Sequence, residues 1–144
     1  MEAQTKELKI QAKNFFKQNK FVKSPAFPKE KVVFNSKGLN HLFYEGGVKK
    51  PSRPLKEAQA RVKLLPSALK VLQRMPFTQE ESTLVNKEGK VCIYWAFEAV
   101  VYQRRIKIIV RQIGKGQKHF WSVIPAWRKV RGKIENSKGK LNED

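Results

Sequence analysis

With 144 residues, 40% of them hydrophobic and including nine Phe and three Trp, the chain has the length and material for one packed domain rather than a disordered basic arm. Lys and Arg number 31 against 12 Asp and Glu, a net charge of +19 that repels itself unless a polyanion neutralises it. The lone Cys92 excludes an intrachain disulfide, one Cys with two His falls short of a structural zinc set, and no run approaches the roughly 20 apolar residues of a membrane span.

The composition reads as a soluble, cytoplasmic protein without a cofactor, and the first residues carry charges instead of the apolar stretch of a secretory leader. Three partners fit the charge: nucleic acid, an anionic membrane surface, or an acidic protein. The excess runs through segments that must also fold, and only residues 76–90 lean acidic. A detachable tail would concentrate it.

Glu2 to Asn19 has helical spacing, with Leu8, Ala12, Phe15 and Phe16 on one face. Pro25 and Pro28 make Lys23 to Glu30 a connector. Lys31 to Asn35 (KVVFN) reads as a strand, followed by a short helix from an N-cap at Ser36 to Glu45, stopped by Gly46 and Gly47. Val48 to Pro54 is a basic loop. Leu55 to Leu65 and a second stretch to Met75 are helical, broken at Pro66 and Ser67 and ended by Pro76. Residues 77–90 are polar and turn-rich.

From Val91 the texture turns β-branched and aromatic. Val91 to Val101, Arg105 to Ile113 and Lys118 to Ile124 read as an antiparallel meander. Beyond Pro125 the tail is basic, with disorder expected from Asn136. Helices first and strands last predict an α+β fold, N-terminal helices packed on a C-terminal antiparallel β-meander. Residues 1–30 supply a helix and connector, 31–125 the main domain, and 126–144 the tail.

Strand alternation assigns faces. Val91, Ile93, Trp95, Phe97, Ala99 and Val101 make the better core row, joined by Ile106, Ile108, Val110, Phe120 and Ile124. The opposite face then gathers Tyr94, Glu98, Lys107, Arg111, His119 and Trp121, with Val123. Cations that hold phosphate beside aromatics that stack on bases suit RNA. Arg104 and Arg105 at the first turn extend that surface. A carboxylate, cations and an imidazole are also what RNA cleavage needs. A base takes the 2′-OH proton, cations stabilise the phosphorane, and an acid protonates the leaving oxygen.

Glu98 is the one acid in the meander, which makes Glu98, Lys107, Arg111 and His119 candidate catalytic residues. The competing reading is a solvated ion pair of Glu98 with Lys107 or Arg111. On the short helix, Lys37, His41 and Tyr44 share the side opposite Leu39, Leu42 and Phe43, and a histidine there can serve as acid or base near neutrality. Cys92 has no obvious base, and Ser122 lacks a nucleophile-elbow context.

Three stretches then stand out together: VVFNSKGLNHLF, a strand entering the helix with His41; a basic stretch with Arg53 and Arg61; and the terminal HFWSVIP. Over roughly residues 31–125 the chain resembles the small nucleases of the barnase–EndoU–colicin–RelE superfamily, in the versions found in phages and mobile elements. The resemblance implies an RNase/RelE-like fold and a metal-independent ribonuclease, commonly deployed as a toxin. It points to His41, to Lys107 or Arg111 on the middle strand, and to Ser122 on the last. Arg53 and Arg61 would bind RNA.

The face assignment turns Ser122 inward beside Phe120, so either a bulge re-aims the last strand or Ser122 is structural. The barnase-like order of carboxylate, arginine and histidine is absent. A non-catalytic nucleic-acid-binding module, ribosome- or phage-associated, explains the charge equally well and demands nothing of these residues. An acidic antitoxin or immunity protein covering the basic surface is compatible with the nuclease reading.

Overall fold

The computed structural model describes residues 2–45, 52–125, 127–130 and 133–136, with side chains through residue 124. Helix α1 (Glu2–Gln18) leads into β1 (Phe21–Lys23) and β2 (Lys31–Val33), then α2 (Ser36–His41), α3 (Leu55–Lys63) and α4 (Leu65–Arg74). Strands β3 (Glu80–Val85), β4 (Val91–Val101), β5 (Arg104–Ile113) and β6 (Lys118–Pro125) follow. Strands β7 (Trp127–Val130) and β8 (Lys133–Asn136) pair with each other. One six-stranded sheet runs β1-β2-β6-β5-β4-β3, antiparallel throughout except where β2 lies parallel to β6. The class is α+β, as the order of helical and strand patterns predicts.

One face of the sheet is buried under helices. Leu8, Ala12 and Phe16 of α1 and Leu65, Ala68, Val71 and Leu72 of α4 meet Phe97, Ile106, Ile108, Val110, Phe120 and Val123 of the strands. Each Leu, Val, Ile or Phe among them contributes roughly 1.5–3 kcal/mol by leaving water. Phe34 stacks on Phe120 at 5.0 Å, and Phe16 meets both edge-on, locking α1 and the start of α2 to the sheet. Segments ahead of residue 31 share this core, since Val22 of β1 is buried in it with the α1 residues.

β3 lies where the sequence predicts a turn-rich segment, β1 falls between the predicted first helix and the connector that begins at Lys23, and β7 and β8 fall within the predicted tail. β1 is only three residues long, and β3 (EESTLV) is a half-exposed edge strand whose polar side chains hide its period. The short helix also differs. Its cap is Asn35 rather than Ser36, with Asn35 Oδ1 accepting from the Lys37 amide, and it closes at His41, short of Glu45. The predicted stop at Gly46 and Gly47 and the tail past Asn136 lie outside the described residues. Among the described residues no helix is long and apolar enough to cross a membrane.

Candidate functional site

Two departures from regular sheet geometry meet on β6. β2 pairs with β6 only at Val32↔Lys118 and Val33↔His119, so from Phe120 onward that edge of β6 is left to the helix that follows β2. α2 packs there, and α3 also contacts β6. Gly38 permits the approach: a Cβ on it would stand 2.1 Å from the Phe120 carbonyl oxygen. No other residue fits so close to a backbone oxygen.

On the opposite edge, β5 pairs with β6 through a bulge. Ile109 faces Ser122 and Val110 faces Phe120, leaving Trp121 with no cross-strand partner. The extra residue inverts the alternation. Beyond it Val123, not Ile124, enters the helix-side core, and Ile124 lies opposite Lys107. The assignment of Ile124 inward and Val123 outward is corrected, and Ser122 no longer shares the face of Phe120.

Trp121 is the centre of what this geometry assembles. The His41 ring stacks on it with centroids 3.9 Å apart and planes 14° from parallel. The Arg111 guanidinium carbon lies 3.5 Å from the indole ring centroid. Both cannot occupy one face at such distances, so the indole is held between an imidazole and a guanidinium. Arg111 Nε donates to His119 Nε2 at 2.9 Å, and the strand register sets Tyr94, Arg111 and His119 abreast.

A second set of contacts begins on the His41 side. Arg53 Nε donates to the His41 carbonyl at 2.8 Å, and Arg53 Nη2 lies 3.1 Å from His41 Nε2. Glu57 Oε1 accepts from Arg53 Nη1 at 2.9 Å and from Arg61 Nη2 at 3.2 Å. Arg61 Nη1 donates to Ser122 Oγ at 2.6 Å. His41 and Ser122 are fully buried, Arg53 and Arg61 nearly so, while the Glu57 side chain is 40% exposed and marks where the cluster reaches solvent.

Burial shapes the electrostatics. The His119 pKa is held down to about 3, first by desolvation, then by the Arg111 charge and by Lys37, against a raising backbone hydrogen bond at Gln117. His119 is therefore a neutral acceptor for Arg111 at physiological pH and a poor proton donor. Desolvation also lowers the Arg111 pKa, partly offset by a hydrogen bond to Tyr94. Trp121 Nε1 is buried with no hydrogen-bond partner among the described residues, an orphan donor inside the cluster.

Most of the predicted residues converge: His41, Arg53, Arg61, Tyr94, Arg111, His119, Trp121 and Ser122, with exposed Lys37 near enough to act on His119. Others stand apart. Glu98 lies opposite Lys107, whose ammonium is 3.0 Å from Glu80 and 3.9 Å from Glu98, and Arg105 sits 3.7 Å from Glu98. Lys107 lies four residues from Arg111, about 13 Å along a strand, and ion-pairs with Glu80 and Glu98. Its geometry is that of the ion-pair reading.

Tyr44 does not share a helix face with Lys37 and His41. The helix has ended before it, and its hydroxyl accepts from Lys9 of α1 at 2.7 Å. The expectation of an open stacking face is corrected too. Tyr94, Lys107, His119 and Trp121 are buried, and Tyr94 and Trp121 join Cys92, Ala96 and Ile109 in a second small apolar cluster.

Glu57 was not foreseen as part of the site. Its signal is spacing: Arg53, Glu57 and Arg61 recur every fourth residue, and with Glu57 and Arg61 one turn apart on α3 and Arg53 just ahead of it, one carboxylate stands between two guanidiniums. Among the described residues no group of three His, Cys, Asp or Glu comes together to hold a metal ion. No family model matches the chain, and no curated protein or solved structure is significantly similar to it.

Proposed function

We propose that the chain binds RNA and is a metal-independent endoribonuclease that cleaves by attack of the ribose 2′-OH on the adjoining phosphate. The observation that carries the reading is the convergence of His41, Arg53, Arg61 and Ser122, from three separate segments, around Glu57 and Trp121. Packing alone has no need of an imidazole, a hydroxyl and two guanidiniums in one buried cluster. In the proposed reaction His41 and Glu57 are the proton-transfer pair, and Arg53 and Arg61 stabilise the phosphorane. Ser122 and Trp121 Nε1 offer further donors. The surplus of cations draws RNA to the surface, and would equally draw an acidic protein inhibitor.

The test is incubation of the full chain with total RNA in EDTA, beside His41→Gln, Arg61→Met and Ser122→Ala variants checked for native circular dichroism. Fragments with cyclic phosphate ends, lost in the His41 and Arg61 variants, are expected. Undiminished cutting by both folded variants rejects the assignment.

A second reading, RNA binding without turnover, is favoured by one observation: His41 and Ser122 have no exposed surface. It shares the salt-sensitive affinity of the first reading, so turnover and not binding separates the two.

A further inference from the structure

The β4–β5 hairpin closes through Tyr102 and Gln103, with φ values of 50° and 63°. A two-residue turn of this hand is the usual place of Asn-Gly, because a Cβ is unfavourable in the left-handed region. Tyr102 is nonetheless 82% exposed there, and Val100 beside it 65%. Cations ring the pair. Arg104 is exposed next to the turn, the Arg105 side chain is partly exposed, and the Lys70 ammonium stands 5.8 Å from the Tyr102 ring, at the outer limit of a cation–π contact. An aromatic ring is thus held in water, on a backbone that disfavours it, among three positive charges.

We infer that this hairpin tip is a base-stacking finger for single-stranded RNA. Tyr102 supplies the ring on which a base stacks, and Lys70, Arg104 and Arg105 hold the flanking phosphates. The inference rests on RNA being the ligand, as proposed above, and not on cleavage. One ring and one valine bury too little apolar surface to anchor in lipid, whereas an arginine beside an aromatic suits a stacked base. From Ser122, opposite Ile109, the tip stands roughly 20 Å away along β5, so a strand held at both places covers several nucleotides.

The experiment titrates the full chain, Tyr102→Ala, Tyr102→Phe and the double variant Tyr102→Asn/Gln103→Gly against a long labelled single-stranded RNA and against vesicles of anionic lipid, and follows cleavage of a dinucleotide. Tyr102→Ala and the double variant weaken binding to the long RNA by roughly tenfold or more, while Tyr102→Phe binds as the parent does. The double variant also melts a few degrees higher, because it relieves the turn as it removes the ring. Dinucleotide cleavage is unchanged throughout. Parental affinity for the long RNA in either ring-less variant overturns the finger, as does loss of vesicle binding with RNA binding intact. Tyr102-dependent RNA binding in a chain that never cleaves refutes the ribonuclease reading and leaves the finger standing.

Discussion

Two groups of charged residues lie on or beside the same sheet and could hardly differ more in setting. Arg53, Glu57 and Arg61 are tied to a buried histidine, serine and tryptophan where β6 bulges and α2 and α3 close on it. Glu80, Glu98, Arg105 and Lys107 form ion pairs across regular strands, a buried ammonium meeting partly exposed carboxylates. Residue type alone does not distinguish them. Regular strands leave opposite charges to neutralise one another locally, whereas an interrupted strand gathers side chains from distant segments into one place.

The largest expected effect separates the groups directly. Arg61→Met lowers RNA cleavage by about 10²–10³, the cost of removing one donor from a preorganised site, while Glu98→Gln leaves the rate unchanged. Single-turnover rates measure both, and the reverse order would exchange the roles of the two regions. Next comes Gly38→Ala. The added methyl has nowhere to go beside the Phe120 carbonyl, and urea unfolding is expected to show a loss of about 3 kcal/mol.

The third prediction concerns pH. Folded His119 titrates at about 3 against 6.5 for the free group, so between these values the native state binds fewer protons than the unfolded chain. Stability is complete above about pH 6.5 and is lost as pH falls toward 3, at up to about 1.4 kcal/mol per unit. His119→Gln keeps an acceptor for Arg111 and removes the titration, so its stability should vary less between about pH 7 and about pH 4. An equal slope in both proteins would assign the acid sensitivity elsewhere. The smallest effect is on the ion-pair side: Glu98→Gln shifts stability by no more than about 0.5 kcal/mol, since Lys107 retains the closer Glu80.

The sheet's long strands were legible because Val, Ile and aromatic residues mark β4, β5 and β6 nearly to their ends. Helices α1 and α4 were equally plain from their apolar spacing and from Pro76. β1 and β3 were not, being short or polar along an edge, and the parallel contact of β2 with β6 joins segments far apart in sequence. The bulge at Trp121 has no local signature, and with it went the facing of Ser122, Val123 and Ile124. His41 was legible from its place on the short helix, Ser122 through resemblance, and Arg53 and Arg61 through their charge. Glu57 escaped notice because an acid between two basic residues on a helix looks like any solvated surface pair.

The sheet order also sets a timetable. β6, the last strand of the six to be synthesised, inserts between β2 and β5, which are made earlier. A chain emerging from the ribosome can present its histidine and arginines long before it owns the tryptophan and serine they meet. Final closure waits on a contact of large sequence separation, the slow kind in folding. Any product interrupted before residue 118 lacks the Trp121 and Ser122 side chains that close the cluster, however well its helices form.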